Sequence, residues 1–207
     1  MIQKHFAVHV LVKDIELSDE ENKEITELVY SLISYYRAST NKDLYDITEN
    51  SIPLFTKENM EKYPILRKLR NVFVDGFLEL AESYDNNQYT REIIEKVLAN
   101  NTGRLPIMKT GECKDNHTHV GASAFGIFYL DEVDNKKHGG YLKMYDPAGA
   151  NIVGYTNPQT ITFETVKNRL IIAPANVWHS VSTYTGKEDR LAIVFNLDWG
   201  TVNIADL

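Results

Sequence analysis

The chain has 207 residues, a net charge of −7 and a pI near 5.4, with 43% hydrophobic and 25% charged residues. That is the balance of a soluble globular protein with one substantial core, and its acidity argues against tight binding of extended nucleic acid through a basic surface. The single cysteine, Cys113, excludes an internal disulfide and a Cys-rich zinc or iron–sulfur site, and no apolar run approaches the ~20 residues of a membrane span.

The N-terminal Met1–Phe6 lacks the apolar core of a signal peptide, so a reducing cytoplasm is the expected compartment. Phe6, Val8, Val10 and Val12 alternate with Ala7, His9 and Leu11, which predicts an initial strand. Ser18 and Glu21 form a capping box ahead of an amphipathic helix over 19–38, carried by Ile25, Leu28, Val29, Leu32, Ile33 and Tyr36. Asn41–Pro53 reads as a loop. Thr56 caps a short helical turn, and Pro64 suits the first turn of a long helix striped by Ile65, Leu66, Leu69, Val72, Phe73, Phe77 and Leu80. Tyr84–Gln88 breaks it, Thr90 caps a third helix, and Asn100–Gly103 stops that one.

From residue 104 the pattern changes to short β-type runs: Leu105–Lys109, His117–Val120, Ala124–Leu130, Gly140–Tyr145, Thr160–Glu164, Arg169–Ala173, His179–Thr183 and Leu191–Leu197. Asp134–Gly140 reads as a polar hairpin loop and Asp146–Gly149 as a turn. The expectation is an α+β single domain over 1–207. Residues 1–103 supply an N-terminal strand and helical support, and residues 104–207 form a jelly-roll core. The helices would brace the barrel, shape a substrate entrance or form a homodimer interface.

Three histidines and an arginine stand out in the second half. His117 and His119 are two apart, which puts both on one face of an extended segment. His179 ends a later apolar run, and Arg190 opens the buried strand that follows. Two close imidazoles and a distant one are the way a β-barrel assembles a metal site from separate strands. The usual oxygenase iron site has a carboxylate two residues after the first histidine, and here that position is His119. An all-histidine site and a His119 that stands behind the ligands as a hydrogen-bond donor both remain open, with Asp115 and Asp146 as badly placed substitutes. Cys113, four residues before His117, is a conceivable ligand but reads more simply as an inert thiol. His5, His9 and His138 lack such partners and read as structural. A buried Arg190 needs an anion, and its planar fork suits a carboxylate.

Residues 117–197 resemble the double-stranded β-helix core of the iron(II)- and 2-oxoglutarate-dependent oxygenases, in the prolyl-hydroxylase-like branch. The resemblance rests on Ile127-Phe128-Tyr129-Leu130, Gly139-Gly140-Tyr141-Leu142, Arg169–Pro174, Trp178-His179-Ser180-Val181 and Arg190–Phe195. The whole chain is similar to a subfamily from bacteria and tailed bacteriophages that carries an H-x-H, as in His117-Thr118-His119, and ends in Arg-x-x-x-x-Phe-Asn, as in Arg190–Asn196. The resemblance implies a cupin-like fold, Fe(II), 2-oxoglutarate and O2, with decarboxylation of the co-substrate to succinate and hydroxylation of a prime substrate that the sequence does not identify. It implies His117, His119 and His179 as metal ligands and catalytic residues, Arg190 and Tyr129 as anchors of the distal carboxylate, and Asn196 in the pocket wall. Two other readings compete. One is a cupin-type three-histidine enzyme, which lacks here the glutamate expected after H-x-H. The other is a non-catalytic jelly-roll module.

Overall fold

The structure is a computed structural model, and it describes residues 8–40, 54–84, 89–100, 103–146 and 160–198. Five strands pair in the order β1 (Leu11–Asp14), β8 (Arg169–Pro174), β5 (Ala122–Tyr129), β10 (Arg190–Asp198) and β2 (Gly103–Arg104). β3 (Ile107–Met108) also pairs with β10. A second, four-stranded sheet has the order β4 (Lys114–His117), β9 (His179–Val181), β6 (Leu142–Tyr145) and β7 (Thr160–Phe163). Every one of these pairings is antiparallel.

The major sheet is covered on both faces, and the period-two alternation of its strands shows how. Phe128, Leu170, Ile172, Ile193 and Phe195 face the helical layer, while Phe125, Ile127, Tyr129, Ile171 and Ala192 face the second sheet. The helices are α1 (Asp19–Thr40), α2 (Lys57–Lys62), α3 (Ile65–Glu82) and α4 (Arg91–Asn100). Their stripes bury Ile25, Leu28, Leu66, Leu69, Phe73 and Ile94 in the same core. The Phe73 ring stacks on Phe195 with centroids 3.7 Å apart, and Phe77 meets Phe195 edge-on at 5.7 Å. Gly76 lets α3 come this close, because a Cβ there would stand 2.6 Å from Ile172 Cδ1.

The predicted caps form. Ser18 Oγ accepts the Glu21 N–H while Glu21 Oε2 accepts the Ser18 N–H, Thr56 accepts from Asn59, and Thr90 accepts from Ile93. Three local expectations are corrected. The first strand runs over Leu11–Asp14, with Phe6 and Ala7 outside the described residues. The segment read as the strand His117–Val120 ends at His117, because the chain turns at Val120 and Gly121 (φ +90°), which L side chains rarely adopt. Asp134–Gly140 is a helical turn, α5 (Asn135–His138), because Asp134 accepts the Lys137 N–H as an N-cap. Asn41–Pro53, Asp85–Gln88, Pro147–Gly149 and His5 lie outside the described residues. Among the described residues no helix is long and apolar enough to cross a membrane.

Candidate metal centre

His117 and His179 face each other across the β4–β9 ladder. His119 follows the end of β4, where the chain crosses from the minor sheet to β5 of the major one. Its backbone is pinned there, with its N–H donating to Ala175 O at 3.0 Å and its carbonyl accepting from the Ala122 N–H. Buried Phe125 stacks against both His119 (centroids 4.5 Å, 5° between planes) and His179 (4.3 Å, 16°). The sequence placed His117 and His119 side by side on one strand. In the structure only His117 lies on β4, His119 follows it ahead of the turn at Val120 and Gly121, and the two ring centroids are 5.5 Å apart.

A ligand atom from each of the three rings lies within 4.8 Å of the other two. The Nδ1 side of each ring is occupied. His117 Nδ1 lies 2.7 Å from the Asp115 carbonyl oxygen, His119 Nδ1 2.7 Å from Asn196 Oδ1, and His179 Nδ1 2.9 Å from the Val177 carbonyl oxygen. A carbonyl oxygen only accepts, so each Nδ1 carries the proton and each Nε2 keeps its lone pair. His119 Nε2 and His179 Nε2 stand 3.2 Å apart. Two lone pairs at that separation repel unless a cation lies among them, so this donor set fits a divalent metal. Among the described residues no carboxylate joins the cluster, and Asp115 contributes only its backbone oxygen.

Burial keeps the imidazoles of His119 and His179 neutral and ready to ligate. It lowers the pKa of His119 to about 3, helped by the nearby His179 and, more weakly, by His117 and Arg104. Burial lowers that of His179 to about 4, while its bond to the Val177 carbonyl opposes the shift. His9, by contrast, is a structural residue that stacks on Tyr84 at 4.5 Å and bonds Ser83. Cys113 is exposed and lies on the cavity wall outside the ligand cluster.

The three histidines open into a cavity of about 360 Å³ that Tyr129 and Arg190 also line. Arg190 is 5% exposed. Its Nε donates to Thr165 Oγ1 at 3.1 Å, its guanidinium lies 5.0 Å from the Tyr129 ring centroid, and no carboxylate among the described residues pairs with it. Tyr129 Oη is buried without a hydrogen-bond partner, and burial raises its pKa against the pull of the Arg190 charge. A buried guanidinium with no carboxylate in ion-pair contact and a hydroxyl without an accepting partner in one cavity wall suit an anion, and a carboxylate matches both. Asn196 stands behind His119 and is absent from the cavity lining.

Two participants escaped the sequence. Thr165, fully buried, fixes the Arg190 fork and is itself held through its N–H by Asn135 Oδ1 at 2.6 Å. Asp131 accepts the Leu191 N–H at 2.7 Å and anchors the residue after Arg190. Neither belongs to a local pattern. Asn196 had a signal, since it is the polar end of the inward row Ala192, Val194, Asn196.

Residues 105–196 match the family model described as "Putative 2OG-Fe(II) oxygenase". No curated protein matches the chain. Among solved structures, a Pseudomonas putida prolyl-4-hydroxylase is 12% identical with a TM-score of 0.53, over 90% of this chain and 85% of that one. A Trichoplax adhaerens prolyl hydroxylase, in complex with a hypoxia inducible factor oxygen degradation domain peptide, is 15% identical with a TM-score of 0.58, over 90% and 82%. The non-heme alpha ketoglutarate dependent epimerase SnoN from nogalamycin biosynthesis is 11% identical with a TM-score of 0.51, over 90% and 76%. These likenesses show a shared double-stranded β-helix fold. The family match lies across the β-rich half of the chain, and the three-imidazole cluster lies inside it.

Proposed function

We propose that this protein hydroxylates a prime substrate using iron(II), 2-oxoglutarate and O2, with His117, His119 and His179 holding the metal through Nε2. The observation that carries this is the commitment of all three Nδ1 atoms to oxygen acceptors, which leaves the three Nε2 lone pairs free in a cluster whose ligand atoms lie within 4.8 Å of one another. His119 then replaces the carboxylate of the usual oxygenase site, and Asn196 orients it from behind. Iron(II), when bound, supplies oxygen activation coupled to decarboxylation of 2-oxoglutarate.

The chain's own residues account for the rest. Arg190, held by Thr165, takes the distal carboxylate of 2-oxoglutarate, and Tyr129 donates its free hydroxyl to the same group. A pair of hydrogen bonds to a carboxylate fixes its direction as well as its place, so the keto-acid end is aimed at the histidines. Ile127, Leu142 and Ala192 add apolar wall to the same cavity, and apolar surroundings strengthen a charged contact.

Anaerobic addition of iron(II) and 2-oxoglutarate should produce the visible charge-transfer band of the chelate, and Arg190→Ala should abolish it while iron still binds. The all-imidazole donor set also suits a three-histidine cupin enzyme. Normal iron binding without any band would favour that reading over the oxygenase.

A further inference from the structure

Arg104 is a second cation in the same cavity, and neither the metal nor the co-substrate accounts for it. It sits half-buried in β2, lines the cavity with the histidines, and its side chain has no hydrogen bond or ion pair to any protein group among the described residues. Its register partner on β10 is Val194, four residues beyond Arg190 on the same cavity-facing row. Four strand residues place the two positions roughly 13 Å apart. A five-carbon dicarboxylate spans roughly half of that at ordinary carbon–carbon bond lengths. The side chains also serve different ends of the cavity. Arg190 is held against Thr165 and Tyr129, whereas the Arg104 charge is felt at His119.

The charge on the cavity wall runs against that of the whole molecule. Arg104 and Arg190 face a single lining carboxylate, Glu112, and that carboxylate is turned to its own loop, where it accepts the Lys109 N–H at 2.7 Å. A cationic cavity in a chain of net charge −7 concentrates anions where the rest of the surface repels them.

We propose that Arg104 binds a carboxylate of the prime substrate, so that this oxygenase acts on an acidic molecule and selects it by that group. The proposal rests on the oxygenase reading for the roles of Arg190 and the metal, while Arg104 itself can be tested without turnover. The experiment is calorimetric titration, under saturating 2-oxoglutarate, with benzoate against benzamide and N-acetylglutamate against N-acetylglutamine. It uses wild type, Arg104→Gln, Arg104→Lys and Arg190→Gln, each metal-free and iron(II)-loaded under nitrogen.

The wild type should bind each acid at least roughly tenfold more tightly than its amide, the usual scale for one charge-assisted contact. Arg104→Gln should erase that preference, Arg104→Lys should keep part of it, and Arg190→Gln should leave it while losing 2-oxoglutarate. An acid preference that is absent, or that survives Arg104→Gln, would overturn the proposal. So would a loss of 2-oxoglutarate affinity in Arg104→Gln as large as in Arg190→Gln, because Arg104 would then belong to the co-substrate. Failure of the oxygenase reading shows separately, as a missing chelate band in a wild type that still prefers acids through Arg104.

Discussion

The two sheets divide the work of this molecule unequally. The major sheet is buried on both faces, braced by α1, α3 and α4 on one side and the second sheet on the other, and it presents Arg190, Tyr129 and Asn196. The minor sheet has the burial of an edge. Its β7 is largely exposed, and β4 contributes two half-buried ends around two exposed residues. Yet two of the three imidazoles, His117 and His179, stand on this minor sheet, and His119 stands on the turn that leaves it for the major one. The proposed anion anchors are therefore set in a packed scaffold, while the proposed metal ligands come from a thinner layer. Fold stability and metal affinity should accordingly respond to different residues.

The largest effect expected is Phe195→Ala. It removes the ring that stacks on Phe73 and meets Phe77, and loss of a buried aromatic costs about 3–5 kcal/mol. Urea denaturation should show this loss equally with and without metal. A loss confined to the metal-bound form would break the division between the sheets.

Next is the pH dependence of the metal-free protein. His119 and His179 have folded pKa values lowered to about 3 and about 4, so the unfolded chain takes up protons that the folded chain refuses. Stability from these groups is present above about pH 6.5 and is lost as pH falls toward those lower values, by about 1.4 kcal/mol per pH unit for each histidine within the window. Denaturation midpoints measured from pH 7 to pH 5 should fall accordingly, and replacing both histidines by Gln should flatten the curve. A midpoint independent of pH in the wild type would contradict the burial of neutral imidazoles.

The smallest effect in energy is Asn196→Ala, which removes the oxygen that fixes the His119 ring. Loss of such an orienting partner weakens metal binding by about 10–100-fold. Asn196→Asp keeps an acceptor there and should retain affinity. Competition with a chelating dye reads both, and equal affinities for Ala, Asp and wild type would leave His119 without a place among the ligands.

Much of the major sheet was legible because its strands are apolar on both faces. Leu170–Ala173 and Leu191–Phe195 announce a doubly covered layer, and an arginine opening such a strand demands an anion. The helices were legible through their caps and stripes. In the minor sheet β6, β7 and β9 fall within runs read as strands, but β4 does not, since it has the sequence Lys-Asp-Asn-His, with no period to follow, and a positive-φ glycine stands four residues past its end. Partners joined only by the fold, such as Thr165 to Arg190 and Arg104 to the cavity, leave no local trace. Register against β10 is what puts Arg104 beside the histidines, and that register becomes visible only with the strands paired.

The central claim is that three imidazole Nε2 atoms hold the metal while Arg190 holds the co-substrate. A crystal structure of the protein with iron(II) and 2-oxoglutarate, grown under nitrogen, tests it most directly. The account predicts Nε2 of His117, His119 and His179 on the iron, and the distal carboxylate against Arg190 and the Tyr129 hydroxyl. Iron held by only two of these imidazoles, or 2-oxoglutarate seated away from Arg190, would contradict it.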